Sequence, residues 1–170
     1  MPGYTIHLAV GKVYQQNNEI IDVESFEKGI IAPDLSKDKG KSHYGEYSSN
    51  PDLDRYLRER NITNEFDEGY FLHLVTDYLF YNKYLKKWDK FIYDDYDKLN
   101  NKLIEKYRIT IPKELLDVVK TKDGELTVLN EADIYKFIDA VGRINVRKML
   151  KDNRTSLKSR MAQIQFKERE

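Results

Sequence analysis

Cysteine is absent from the 170 residues, which excludes disulfides, thiolate zinc fingers and a thiol nucleophile together. An excess of charge is also missing, because Lys plus Arg and Asp plus Glu number 29 each. No net field therefore gathers nucleic acid or an anionic membrane, and no nucleic-acid partner is expected. No apolar run approaches the roughly eighteen residues of a membrane-spanning helix. The amino terminus, MPGYTIHLAV, lacks the basic region of a secretory signal, so the expectation is a cytoplasmic protein without stable membrane insertion. Histidine is scarce: His7, His43 and His73 are all there are.

What is present is helical periodicity. A third of the residues are charged and 40 % are hydrophobic, a composition that suits a helical globular protein. Residues 4–14 alternate enough for a strand, but Ile6, Val10 and Val13 fit a helical stripe, and helix is the reading adopted. Residues 22–31 read as a short helix with Val23, Phe26 and Ile30 inward, stopped by Pro33. Residues 37–42, rich in lysine and glycine, read as an exposed loop that delivers Ser42, His43 and Tyr44. Further helices are predicted over 51–60, 66–84, 88–106, 111–119 and 131–150, the last capped by Asn130. Strand signals are few. The fold class expected is all-α, a single-domain bundle of about six to seven helices over residues 1–150, with 151–170 a polar helix extension or tail.

Residues 66–84, FDEGYFLHLVTDYLFYNKY, are the most hydrophobic stretch and yet carry His73 and Asp77. Four apart on a helix, these two share a face with Gly69, Phe66, Phe80 and Tyr84 and so point inward. Two readings fit: a core histidine satisfied by its neighbouring carboxylate, or two ligands converging on zinc, manganese or iron. Asp34, directly after Pro33, reads by itself as a turn former or an N-cap. Asp95 lies on the apolar stripe of 88–106, between Ile92 and Leu99, where a carboxylate needs a partner or an ion, or else reaches solvent at the stripe's edge. Lys83, Lys86, Lys87 and Lys90 form a basic run that reads as a solvated helix end or as a seat for a phosphate or an anionic headgroup. The thirteen tyrosines fit a core rim better than a stacking platform.

Taken in order, His7, then Gly29-x-x-Ala32-Pro33-Asp34, then Ser42-His43-Tyr44, then Gly69-Tyr70-x-x-His73-x-x-x-Asp77 resemble the zinc-dependent phospholipase C family, distantly related to fungal single-strand-specific nucleases. The likeness covers about the first 85 residues and uses every histidine. It implies a phospholipase C-like helical fold and a site in which Asp34, His43, His73 and Asp77 hold one metal. Asp77 would bridge toward His7 and a second ion, with Asp34 and Asp77 as the catalytic carboxylates. The activity implied is phosphoester hydrolysis of a small-molecule or lipid-derived substrate by a one- or two-metal centre, with zinc the first expectation and manganese or iron accepted. The chain departs from the family in having no histidine after His73 and no early tryptophan, so the family's third metal position lacks its ligands. Asp95, by its place on the stripe, is the substitute ligand to consider. Two other readings stay open: a non-catalytic binding protein stapled by its metal, and a histidine–aspartate phosphohydrolase. The latter would carry an adjacent His-Asp pair, which does not occur here.

Overall fold

A computed structural model describes residues 3–151 and 157–164. Among them the chain is all-helical, a bundle of nine α-helices with no strand. The long members are α1 (Tyr4–Asn17), α2 (Val23–Leu35), α5 (Glu65–Leu79), α6 (Ile92–Tyr107) and α7 (Glu131–Gly142). Shorter ones are α3 (Lys39–Ser42), α4 (Leu53–Glu59), α8 (Val146–Lys151) and α9 (Leu157–Gln163). No helix among the described residues is long and apolar enough to cross a membrane.

Helix α5 is the axis of the bundle. Every residue from Asp67 through Asp77 is buried, the condition of a helix enclosed on all sides. Asn64 caps it by accepting from the Asp67 amide at 2.9 Å, satisfying one of the donors that a helix start leaves orphaned. A five-residue π-helical segment, Phe80–Tyr84, prolongs it. Against α5 lies α2, and the two cross with backbones touching. A Cβ on Gly29 would overlap the Phe66 carbonyl, and one on Gly69 would overlap the Phe26 carbonyl. Reciprocal glycines are what that approach requires. It also sets the face of α5 that carries His73 and Asp77 directly on the last turns of α2.

Several boundaries differ from those predicted. Pro33 does not stop α2, which runs on to Leu35. The carbonyls of that last turn find partners from outside the helix: Ser42 Oγ donates to Pro33 O at 2.7 Å, and Tyr4 Oη and Lys39 Nζ donate to Asp34 O. The stretch expected as an exposed loop contains the single turn α3, which folds back over the end of α2. Tyr44 then takes a positive φ of 58°, the left-handed conformation that reverses the chain there. The helix expected over 111–119 is only a 3-10 turn, Lys113–Leu115. The one expected over 131–150 breaks after Gly142, where a Cβ would overlap Val13 of α1. Trp88 and Phe91 were expected on the inward stripe, but α6 starts at Ile92 and both rings are exposed. Of the predicted tail, 152–156 and 165–170 lie outside the described residues, while α9 buries Leu157 and Met161.

Candidate metal centre

Four helices deliver the five side chains singled out from the sequence. His7 comes from the first half of α1 and Asp34 from the penultimate position of α2. His43 follows the single turn of α3, and His73 and Asp77 stand one turn apart on α5. All are buried, none more than 2 % exposed. His43 was expected in an exposed loop; the fold-back of α3 leaves it with no exposure at all.

The tautomers of two imidazoles follow from what their Nδ1 atoms meet. His73 Nδ1 lies 2.6 Å from the carbonyl of Ile30, and His43 Nδ1 lies 2.7 Å from that of Lys39. A carbonyl only accepts, so each Nδ1 donates, and Nε2 is the lone-pair atom of the neutral ring. Both Nε2 atoms face the carboxylates. His43 Nε2 is 3.4 Å from Asp34 Oδ1 and 2.9 Å from Asp77 Oδ2, and His73 Nε2 is 3.5 Å and 3.2 Å from the same two oxygens.

These approaches are close, but the oxygens lie off the direction of a ring N–H, and none of the four donor atoms makes a hydrogen bond. Buried polar atoms are almost always hydrogen-bonded, so such a cluster calls for a partner at its centre. The four ring-to-carboxylate distances resemble those between donors on one ion, about 3.3 Å for a tetrahedral metal and about 3.0 Å for adjacent donors on an octahedral one, and the ligand atoms of all four residues lie within 4.8 Å of one another. Asp34, His43, His73 and Asp77 thus form a group that can hold a metal ion.

His7 completes the arrangement. Its Nε2 is 3.0 Å from Asp77 Oδ1 and 3.9 Å from Asp34 Oδ2. Each carboxylate therefore turns one oxygen to the His43/His73 pair and the other to His7. Neither ring nitrogen of His7 has a hydrogen-bond partner.

Electrostatics tie the five together. Burial disfavours the charged form of Asp34, but His73 and His43 outweigh it and hold the carboxyl well below the usual range. Burial also opposes ionisation of Asp77, and His73, His7 and His43 together push it far down. Burial would lower His73; Asp34 and Asp77 instead raise it to about 10. His43 is raised, against its own burial, by the nearness of the same two carboxylates. His7 moves the other way, lowered by burial and by its neighbour His73. Two buried carboxylates need two positive charges, which either two ring protons or one divalent cation supplies.

Asp95 does not join this group. It is fully buried, but its oxygens accept from the backbone amides of Thr127, Val128 and Leu129 at 2.7–2.9 Å. The stripe argument was right that the carboxylate is buried and paired; its partners are amides that pin the segment before α7. The sequence reading also missed Glu68, a buried carboxylate that accepts from Tyr14 Oη at 2.6 Å and from Arg147 Nε at 2.7 Å. Its place one residue before Gly69 on the inward helix was the available signal. Nor did the sequence disclose the Ile30 and Lys39 carbonyls that orient the two imidazoles, since backbone acceptors leave no mark in side-chain pattern. Compared with family models, with curated proteins and with solved structures, the chain matches none.

Proposed function

We propose that this chain is a metal-dependent hydrolase of phosphoester bonds, similar to the zinc-dependent phospholipases C, acting on a small or lipid-derived substrate. One observation carries the reading: two buried carboxylates and two Nδ1-anchored imidazoles face one another with no hydrogen bond among their donor atoms. Asp34, His43, His73 and Asp77 would hold the first ion. His7, with the second oxygen of each carboxylate, supports a second position beside it. Zinc suits two imidazoles and two carboxylates best, and manganese or iron fits the same donors. Such an ion supplies Lewis acidity and brings the pKa of a bound water down toward about 7. The protein's own part is orientation: the carbonyls of Ile30 and Lys39 fix the His73 and His43 tautomers, and Tyr4 and Ser42 hold the turn that carries Asp34.

The test is elemental analysis of protein purified without chelator or affinity metal, beside assays on a chromogenic phosphodiester and a short-chain phospholipid. About one or two equivalents of zinc, manganese or iron are expected, with hydrolysis abolished by chelator, restored by the ion and absent in His73→Ala. Metal-free, folded protein that takes up no ion would sink the proposal.

The burial of all five side chains favours a second reading, a metal that staples α1, α2, α3 and α5 and does no chemistry, since structural sites are closed and catalytic ones keep an open position. Stoichiometric metal together with inactivity on both substrates would establish it.

A further inference from the structure

Among the described residues, four aromatic side chains are left exposed: Tyr47, Trp88, Phe91 and Tyr93, at 55–62 %. They are gathered on one side. Tyr47, Trp88 and Tyr93 line a single shallow hollow with Tyr81 and Asn82, and the rings of Trp88 and Tyr93 are 6.4 Å apart at a steep angle. Phe91 lies between them in sequence. Residues 86–91 are exposed without interruption, and three are lysines. Lys90 Nζ sits 5.5 Å from the Phe91 ring. Among the described residues no carboxylate pairs with Lys86, Lys87 or Lys90. The acids close by are engaged elsewhere: Asp89 accepts from the Phe91 amide at 2.9 Å, and Asp94 pairs with Lys98 and Lys122.

We propose that residues 85–93, with Tyr47, form a docking face for an anionic lipid surface, the rings seated at headgroup depth and Lys86, Lys87 and Lys90 on the headgroup phosphates. Balanced net charge conceals this local excess: residues 85–93 hold three lysines and one aspartate. The composition decides the occupant. Trp and Tyr have an apolar body and a polar tip and concentrate where hydrocarbon meets water. Lysines beside them are drawn by the negative potential of an anionic leaflet. An apolar protein partner would have to desolvate three lysines that no described carboxylate pairs, whereas a headgroup layer meets them with charge. The face also adjoins the core that carries the metal centre. Tyr93 packs edge-on against Tyr96 at 5.9 Å, and Tyr96 against Phe80 at 6.4 Å, three residues past Asp77. Docking stands independently of the hydrolase reading, because its readout is binding.

Trp88 is the only tryptophan in the chain, so its emission reports on this face alone. The full-length protein is titrated with phosphatidylcholine vesicles and with vesicles containing about one third phosphatidylglycerol. Expected is a blue shift on the anionic vesicles at low salt, with binding about tenfold tighter than to the neutral ones and reversed by salt. Lys86→Glu with Lys87→Glu should abolish the shift, and Phe91→Ala with Tyr93→Ala should weaken binding about tenfold. All four positions are exposed, so metal content and melting temperature should stay as in the parent protein. Unchanged emission with every vesicle would overturn the proposal, as would binding indifferent to either pair of substitutions. A blue shift that follows protein concentration without lipid, with dimer in sedimentation, would assign the face to a second copy of the chain instead.

Discussion

The ring of His7 lies flat on that of His73, with centroids 3.6 Å apart and planes within 4°. Two imidazolium cations would repel each other at that distance, and burial and His73 together lower the His7 pKa. One of the pair stays neutral, with a lone pair available, and its Nε2 is directed at Asp77. This stacked pair is where α1 meets α5, so the candidate centre and the core packing share the same atoms.

Removing one imidazole should cost both metal and stability. In His73→Ala the ion is expected to be lost and the melting temperature to fall by about 10 °C, the scale set by about 4 kcal/mol of ligand linkage in a domain of this size. Elemental analysis and a thermal melt in the same buffer check this. A variant that keeps its metal and its melting temperature would remove His73 from the centre.

Asp95→Ala should behave in the opposite way. The substitution leaves the amides of Thr127, Val128 and Leu129 without their acceptor, a loss of about 3 kcal/mol. Metal content should be unchanged. Denaturant unfolding beside metal analysis separates the two effects, and loss of metal with stability intact would return Asp95 to the ligand set.

The crossing of α2 and α5 admits no side chain at Gly29 or Gly69. Gly69→Ala, which changes no candidate ligand residue, should destabilise by more than about 2 kcal/mol and weaken metal binding, because the helices must separate and carry Asp34 away from His73. Unfolding and metal titration of the purified variant measure both. Full retention of metal affinity would show that the centre does not depend on this contact.

Rising pH should act with opposite sign on the His73 contribution in metal-free protein and on the stability added by the metal. In metal-free protein the His73 pKa, raised from its ordinary 6.5 to about 10, stabilises the fold in full below pH 6.5, and that contribution is lost as pH rises toward 10. Metal-loaded protein needs the ring without its Nε2 proton, so its extra stability should grow as pH rises and vanish in acid as the ligands protonate. Melting temperatures with and without chelator should therefore converge at low pH and diverge above neutrality. Parallel curves would rule out an ion at Nε2 of His73.

Much of the site was legible before the fold. The i, i+4 pair His73 and Asp77 followed from helical period on an apolar helix, a local property, whereas His7, Asp34 and His43 were singled out by the order of motifs that resembles the phospholipase C family. Asp95 was misjudged where local pattern ends: its burial follows from its stripe, but its partners lie more than thirty residues away in the segment before α7. Pro33 read as a stop because its effect on its own helix is local, whereas the outside donors that hold the last turn of α2 are not. Trp88 and Phe91 fitted a helical stripe that begins only after them.

The sequence by itself determined the all-α class and the inward face of α5 that carries His73 and Asp77, since each follows from periodicity and side-chain type within a short window. Tertiary structure alone decided which oxygen faces which ring, how His43 became buried, and which aromatics stayed outside. Those outcomes depend on the glycine-lined crossing of α2 and α5 and on the fold-back of α3, where contacts distant in the chain fix geometry to within an ångström, a precision that local pattern does not carry.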